Sequence, residues 1–166
     1  MQVMEAIQAR RSIRQYKPDA IEQEKLDQLA EAFRLSPSAR NSQSWKLLIV
    51  RDPEKRDALV QALGSRPPLV GAPVILCACG LNSSDMPCGH RADSVDLSIA
   101  LSFVMLEACD LGLGTCWMGS HEEDKVRSVL GLPDSVTIPA ITPLGYAAEA
   151  PDARPRKALT DVVEYI

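Results

Sequence analysis

Between Asp93 and Gly119 the chain reads DSVDLSIALSFVMLEACDLGLGTCWMG. Ile99, Ala100, Phe103, Val104, Leu106 and Ala108 make the first part apolar almost all round, which predicts a long, central buried helix over 93–111. Ser98 and Ser102 interrupt the run, and Asp96 and Glu107 bound it, so it is too short to span a bilayer. Gly112 ends the helix as its C-cap glycine. The segment from Leu111 to Gly119 is rich in glycine, yet it lacks the G-x-G-x-x-G spacing and no helix opens directly after it. It therefore does not cradle a dinucleotide pyrophosphate, but it suits backbone laid flat against a flat ring. Taken alone it is a helix cap feeding a short strand at 115–118, with Trp117 in the core.

Working outward, Val74, Ile75, Leu76 and Cys77 stand in a row within 73–80, the pattern of a strand buried on both faces. A second strand is expected at 45–50, bounded by Asp52-Pro53, and a third over 136–146, where Pro139 and Pro143 imply edges or bulges. Helices are predicted at 4–9, from Ile21 to before Pro37 with Asp19 as N-cap, at 53–63, and at 122–130 closed by Gly131. The proline-bearing strands argue against a plain parallel sheet. An α+β sandwich fits better, with a mixed, mostly antiparallel sheet flanked by helices. The whole of 1–166 reads as one domain, with 150–166 as an arm that leaves it.

Composition bounds the function. The 166 residues are 46% hydrophobic and 24% charged, with a net charge of −4. No global basic field exists to gather nucleic acid or an anionic membrane, though a small anion can still bind where a few arginines converge. The start has no apolar h-region, and five cysteines make an odd number, so a reduced cytoplasmic protein is expected.

Four segments bear chemistry. Arg10-Arg11-Ser12-Ile13-Arg14-Gln15-Tyr16 offers three guanidinium groups and a hydroxyl, and arginine grips phosphate through paired planar donors. Pro37-Ser38-Ala39-Arg40-Asn41-Ser42-Gln43-Ser44-Trp45 combines small residues, which let backbone approach a ligand, with the amides of Asn41 and Gln43. The third is 111–119, and the fourth is Arg154-Pro155-Arg156-Lys157. Separately they read as a basic turn, a polar loop, a cap and a solubilising tail.

Their order and spacing together resemble the FMN-dependent nitroreductase family, over about Met4 to Leu159. The matching patterns are R-R-S-x-R-x-Y, P-S-x-x-N-x-Q-x-W, G-L-G-T-x-W-x-G after the long helix, and R-x-R after Gly145-Tyr146. The resemblance implies a three-layer α+β sandwich and an intertwined homodimer with FMN in the groove between subunits. It implies cofactor contacts from Arg10, Arg11, Ser12 and Arg14, with Arg154 and Arg156 joining Arg10 at the phosphate. Pro37, Ser38, Ala39, Asn41 and Gln43 would close the site from the other subunit, and 150–166 would pack on that subunit. Cys116, Trp117, Met118 and Gly119 would lie along the isoalloxazine, the Gly119 N–H near flavin N5 and Arg14 near the pyrimidine edge. NADH or NADPH would supply hydride, and a nitroaromatic, quinone or similar small acceptor would take the electrons, with ping-pong kinetics and no catalytic side-chain nucleophile.

The chain also departs from that pattern. Only 81–93 stands where larger members insert helices over the substrate face. No asparagine in 64–72 matches the one the family places ahead of the 73–80 strand, and Met118 stands where many relatives have an acid. Cys77, Cys79, Cys88 and His90 offer four potential metal ligands, but two cysteines on one strand face pack as small hydrophobes, and no metal is expected. The alternatives are a flavin-storing or metal-sensing module, and a flavoenzyme of another reaction such as dehalogenation or ene reduction.

Overall fold

A computed structural model describes residues 2–82 and 84–166. Three apolar residues at helical spacing, Leu26, Leu29 and Phe33, set the buried stripe of α2 (Gln23–Arg34), which packs on α4 (Ala92–Asp110). The short α1 (Val3–Ala9) lies on the same helix, so the three form one layer. Asp52 caps α3 (Pro53–Ala62) by accepting the Lys55 N–H at 2.9 Å, with Pro53 in the first turn where it costs no hydrogen bond. α5 (Glu123–Leu130) closes on Gly131 in the left-handed conformation, φ 66°, and packs against α3 as the opposite layer.

Between the layers lies an antiparallel sheet in the order β1 (Trp45–Val50), β2 (Val74–Gly80), β4 (Thr137–Gly145), β3 (Gly114–Thr115). The period of two sorts the buried strand β2 between two cores. Val74, Leu76 and Ala78 face α2 and α4, whereas Ile75, Cys77 and Cys79 face α3 and α5. A single parallel bridge, Ser12 to Thr115, adds the N-terminal segment beyond β3. The expected three-layer α+β sandwich is therefore present, and among the described residues no helix is long and apolar enough to cross a membrane.

Several boundaries differ from expectation for physical reasons. α2 begins from Glu22, not Asp19. β4 is an inner strand despite its prolines. Pro139 sits at a bulge: Ile138 and Ile141 share one core while Ala140 faces the other, and the pairing with β2 shifts register there. Pro143 points its missing N–H away from β2. Ile141 exchanges both backbone bonds with Met118, and residues two apart share a side of the ladder. The ladder therefore breaks opposite Pro143. What was expected as one strand over 115–118 is β3 plus an isolated bridge at Met118.

α4 is central, but one side of it lacks cover. Phe103 is 44% exposed and lines a shallow pocket with Val3 of α1, on which Met4 and Ile7 are exposed too. Ser98 and Ser102 sit in the helix by donating their hydroxyls to the Ser94 and Ser98 carbonyls at 2.6 and 2.7 Å. Past Tyr146 the chain is irregular except for a 3-10 turn at Leu159–Asp161, and Val162, Tyr165 and Ile166 are exposed.

Candidate functional site

Residues 12–17 form an extended strip tied at both ends. Ile13 N–H donates to the Thr115 carbonyl at 2.9 Å, Lys17 N–H to Tyr146 at 2.8 Å, and Ala148 N–H to Gln15 at 2.9 Å. Ile13 and Tyr16 are buried beneath the strip, and the Tyr16 hydroxyl donates to the Ile13 carbonyl at 2.5 Å. Burial raises the Tyr16 phenol far above its ordinary value, so it stays a neutral strut. Ser12 and Arg14 flank the inward-facing Ile13 and are left on the outer side.

On that side Arg10, Arg11, Ser12, Arg14, Arg154 and Arg156 line one groove of about 600 Å³. Three of these arginines are partly committed, Arg156 by donating to the Arg154 carbonyl at 3.3 Å. One Nη of Arg11 donates to the carbonyls of Gln8, Ala9 and Arg10 at 2.6–3.1 Å, capping α1, and Arg14 donates to its neighbour Ser12 at 3.0 Å. A phosphate monoester carries about −1.5 to −2 charge, which a few guanidiniums neutralise. The groove therefore has the right donors for the phosphate end of a mononucleotide.

The second segment lies elsewhere in the same chain. Ala39 lines a separate pocket of about 320 Å³ with Trp45, Asp93 and Asp96. Pro37, Asn41 and Gln43 are exposed. Arg40, Asn41 and Gln43 have φ of 54°, 53° and 48°, a conformation that costs energy for residues other than glycine. Among the contacts that hold it, Ser38 Oγ accepts the Gln43 N–H at 3.0 Å, and both Asp96 oxygens accept the Ala39 N–H at 3.0 and 3.1 Å.

In the third segment the structure separates side chains from backbone. Cys116 and Met118 are buried in the core facing α3 and α5, and Trp117 packs against the opposite core. Burial raises the Cys116 thiol, with Arg14 and Arg10 opposing. Gly119 is exposed, and among the described residues its N–H has no acceptor. Flat backbone with a free donor is what a ring edge with acceptor atoms requires, so these residues also fit.

Two positioning groups escaped sequence reasoning. Asp96 sits in an apolar helix, and a buried carboxylate there signals a partner. Glu149 accepts the backbone N–H groups of Arg14 and Gln15 at 2.5 and 3.2 Å, tying the tail to the strip. Its only sequence signal is an acid, followed by Asp152, just ahead of a basic cluster. The four potential metal ligands do not assemble. Cys77 and Cys79 lie under the sheet, Cys88 and His90 are exposed, and among the described residues no group of three such side chains converges.

With this geometry in view, the comparisons are specific. The model of the Nitroreductase family matches residues 7–69 and 62–146. The chain belongs to the nitroreductase family. It is 34% identical to an NADH dehydrogenase/NAD(P)H nitroreductase of Methanothermobacter thermautotrophicus, over 93% of this chain and 82% of that protein. A nitroreductase family protein of Clostridium difficile 630 superposes with a TM-score of 0.87 at 26% identity, covering 99% of this chain and 98% of the other. An FMN-dependent nitroreductase of Clostridium difficile R20291 does so with a TM-score of 0.83 at 28% identity and 98% coverage of both chains. The two solved structures share this chain's sandwich fold.

Proposed function

We propose that the protein is an FMN-dependent NAD(P)H oxidoreductase acting as a homodimer on nitroaromatic, quinone or similar small acceptors. The observation that carries this reading is the convergence of the N-terminal and C-terminal arginines, 140 residues apart in sequence, on one groove of about 600 Å³. Bound FMN supplies the chemistry, accepting hydride from a nicotinamide nucleotide and passing electrons to the acceptor. The chain's own residues bind and orient. Arg10, Arg154 and Arg156 hold the phosphate, with Arg11 fixed at the end of α1 beside them. Ser12 and Arg14 follow along the strip, Arg14 placing positive charge at the pyrimidine edge. The Gly119 N–H supplies a donor where the ring takes up hydride. Cys116, Trp117 and Met118 set the level of that backbone by filling the cores on either side.

A second copy of the chain completes the site. Pro37, Ser38, Ala39, Asn41 and Gln43 sit away from the arginine groove of their own chain, as a segment serving a partner's groove would. The exposed face of Val3, Met4, Ile7 and Phe103, with the apolar arm of Leu159, Val162, Tyr165 and Ile166, supports the same reading. Burying it against a second subunit contributes roughly 25 cal/mol per Å².

The purified protein is expected to be yellow, to release FMN on denaturation, and to lose its visible absorbance when NADH or NADPH is added anaerobically. A colourless protein that cannot be reconstituted with FMN would overturn the proposal. A sedimentation mass of one chain at micromolar concentration would remove the dimer.

A further inference from the structure

We propose that His121 is a positioning residue that fixes the Gly119 N–H toward the flavin through its bond to the Ile138 carbonyl. The inference rests on the reading that Gly119 meets the flavin. Gly119 is exposed and among the described residues its N–H has no acceptor, so nothing in its own contacts aims that donor. Its aim comes from its neighbours. On one side Met118 and Ile141 exchange both backbone hydrogen bonds at 3.0 Å. On the other, the Arg66 guanidinium donates to the Ser120 carbonyl and His121 Nε2 lies 2.7 Å from the Ile138 carbonyl.

Chemistry assigns the His121 proton. A carbonyl only accepts, so Nε2 carries the hydrogen. Nδ1 is buried and among the described residues has no partner, which suits the bare nitrogen of that tautomer. The anchor also lands on a firm point. Ile138 is fully buried in β4, just ahead of the bulge at Pro139, and Ile141 holds Met118 just beyond it. The turn carrying Gly119 is thus pinned at both ends to the same strand. Arg66 adds a second tie, through the Ser120 carbonyl, from the segment after α3.

The test compares His121→Phe, which keeps a ring and removes the donor, with His121→Gln, whose Nε2 occupies a similar reach and restores it. In the FMN-free protein, amide hydrogen exchange of the Met118 N–H is expected to rise about tenfold in H121F and to stay near wild type in H121Q. With FMN bound, anaerobic flavin reduction at saturating nicotinamide nucleotide is expected to slow about tenfold in H121F, with the nucleotide KM little changed, and to recover in H121Q. If H121F does not fold, His121→Ala takes its place. Wild-type exchange and reduction in the donor-less variant, or equal losses in H121Q, would overturn the proposal. A wild-type protein that binds no FMN would instead defeat the flavin reading, while the exchange comparison would still judge the anchor.

Discussion

Gly114→Ala tests whether the arginine strip is positioned by packing on β3. A Cβ built at Gly114 lies 2.8 Å from Ile13 Cγ1 and 2.9 Å from both Ile13 Cβ and Cγ2. Carbon atoms pack at about 3.5–4.0 Å, so Ile13 must retreat by roughly 0.6 Å or more. It has little room, being 7% exposed with its N–H bonded to Thr115 at 2.9 Å. Overpacking of this kind costs about 1–3 kcal/mol. In a chain of this length each kcal/mol lowers the Tm by roughly 2–4 °C. The displacement passes to Ser12 and Arg14 on either side of Ile13, so FMN affinity is expected to fall up to about tenfold, part of the roughly 1.5–3 kcal/mol of a charge-assisted contact. Calorimetry and FMN titration at one protein concentration read both effects. Ile13→Ala removes Cγ1 and Cγ2, two of the three overlapping atoms, and is destabilising by itself. Gly114→Ala should then cost at least about 0.5 kcal/mol less in the Ile13→Ala background than in the wild type. A Gly114→Ala protein with unchanged Tm and FMN affinity, or one whose cost is the same in both backgrounds, would refute the reasoning.

Arg10→Ala and Arg156→Ala should each weaken FMN binding by about 1.5–3 kcal/mol, roughly tenfold or more; fluorescence titration showing unchanged affinity in both variants would remove the phosphate assignment. Asp96→Ala should release the Ala39 N–H and loosen the positive-φ turn at Arg40–Gln43, so that trypsin cuts after Arg40 several-fold faster; an unchanged digestion rate counts against Asp96 as its anchor. Burial pushes the Cys79 thiol up from 9.0 to about 11. The unfolded chain therefore loses this proton first as pH rises. Stability is complete below pH 9 and falls toward pH 11, by up to roughly 3 kcal/mol from this group. Urea melts of Cys79→Ala should show a shallower alkaline decline, and an identical slope would refute the assignment.

The elements legible in the sequence were those fixed by local pattern. The apolar run of α4, the unbroken strand β2, the Pro53 helix start and the Gly112 and Gly131 stops each carry their signal within a few residues. What escaped was decided by parts of the chain far apart. Nothing local to Thr115–Met118 says that the pairing strand will present Pro143, with no N–H, opposite its middle. Nothing local to Phe103 separates a buried helix face from one left open at the surface. The site divides in the same way. The arginine groove was legible because guanidinium groups declare their chemistry wherever they stand, and the structure brings them together. Cys116 and Met118 were marked by the same kind of motif, yet their side chains fill a core and only their backbone lies along the segment that leads to Gly119. A motif names positions; the packing decides whether side chain or main chain faces the ligand. Asp96 and His121 complete the point. Each acts on one distant backbone group, Ala39 N–H in one case and the Ile138 carbonyl in the other. A hydrogen bond of that kind leaves only a weak trace in sequence, a polar residue where the surroundings would favour an apolar one.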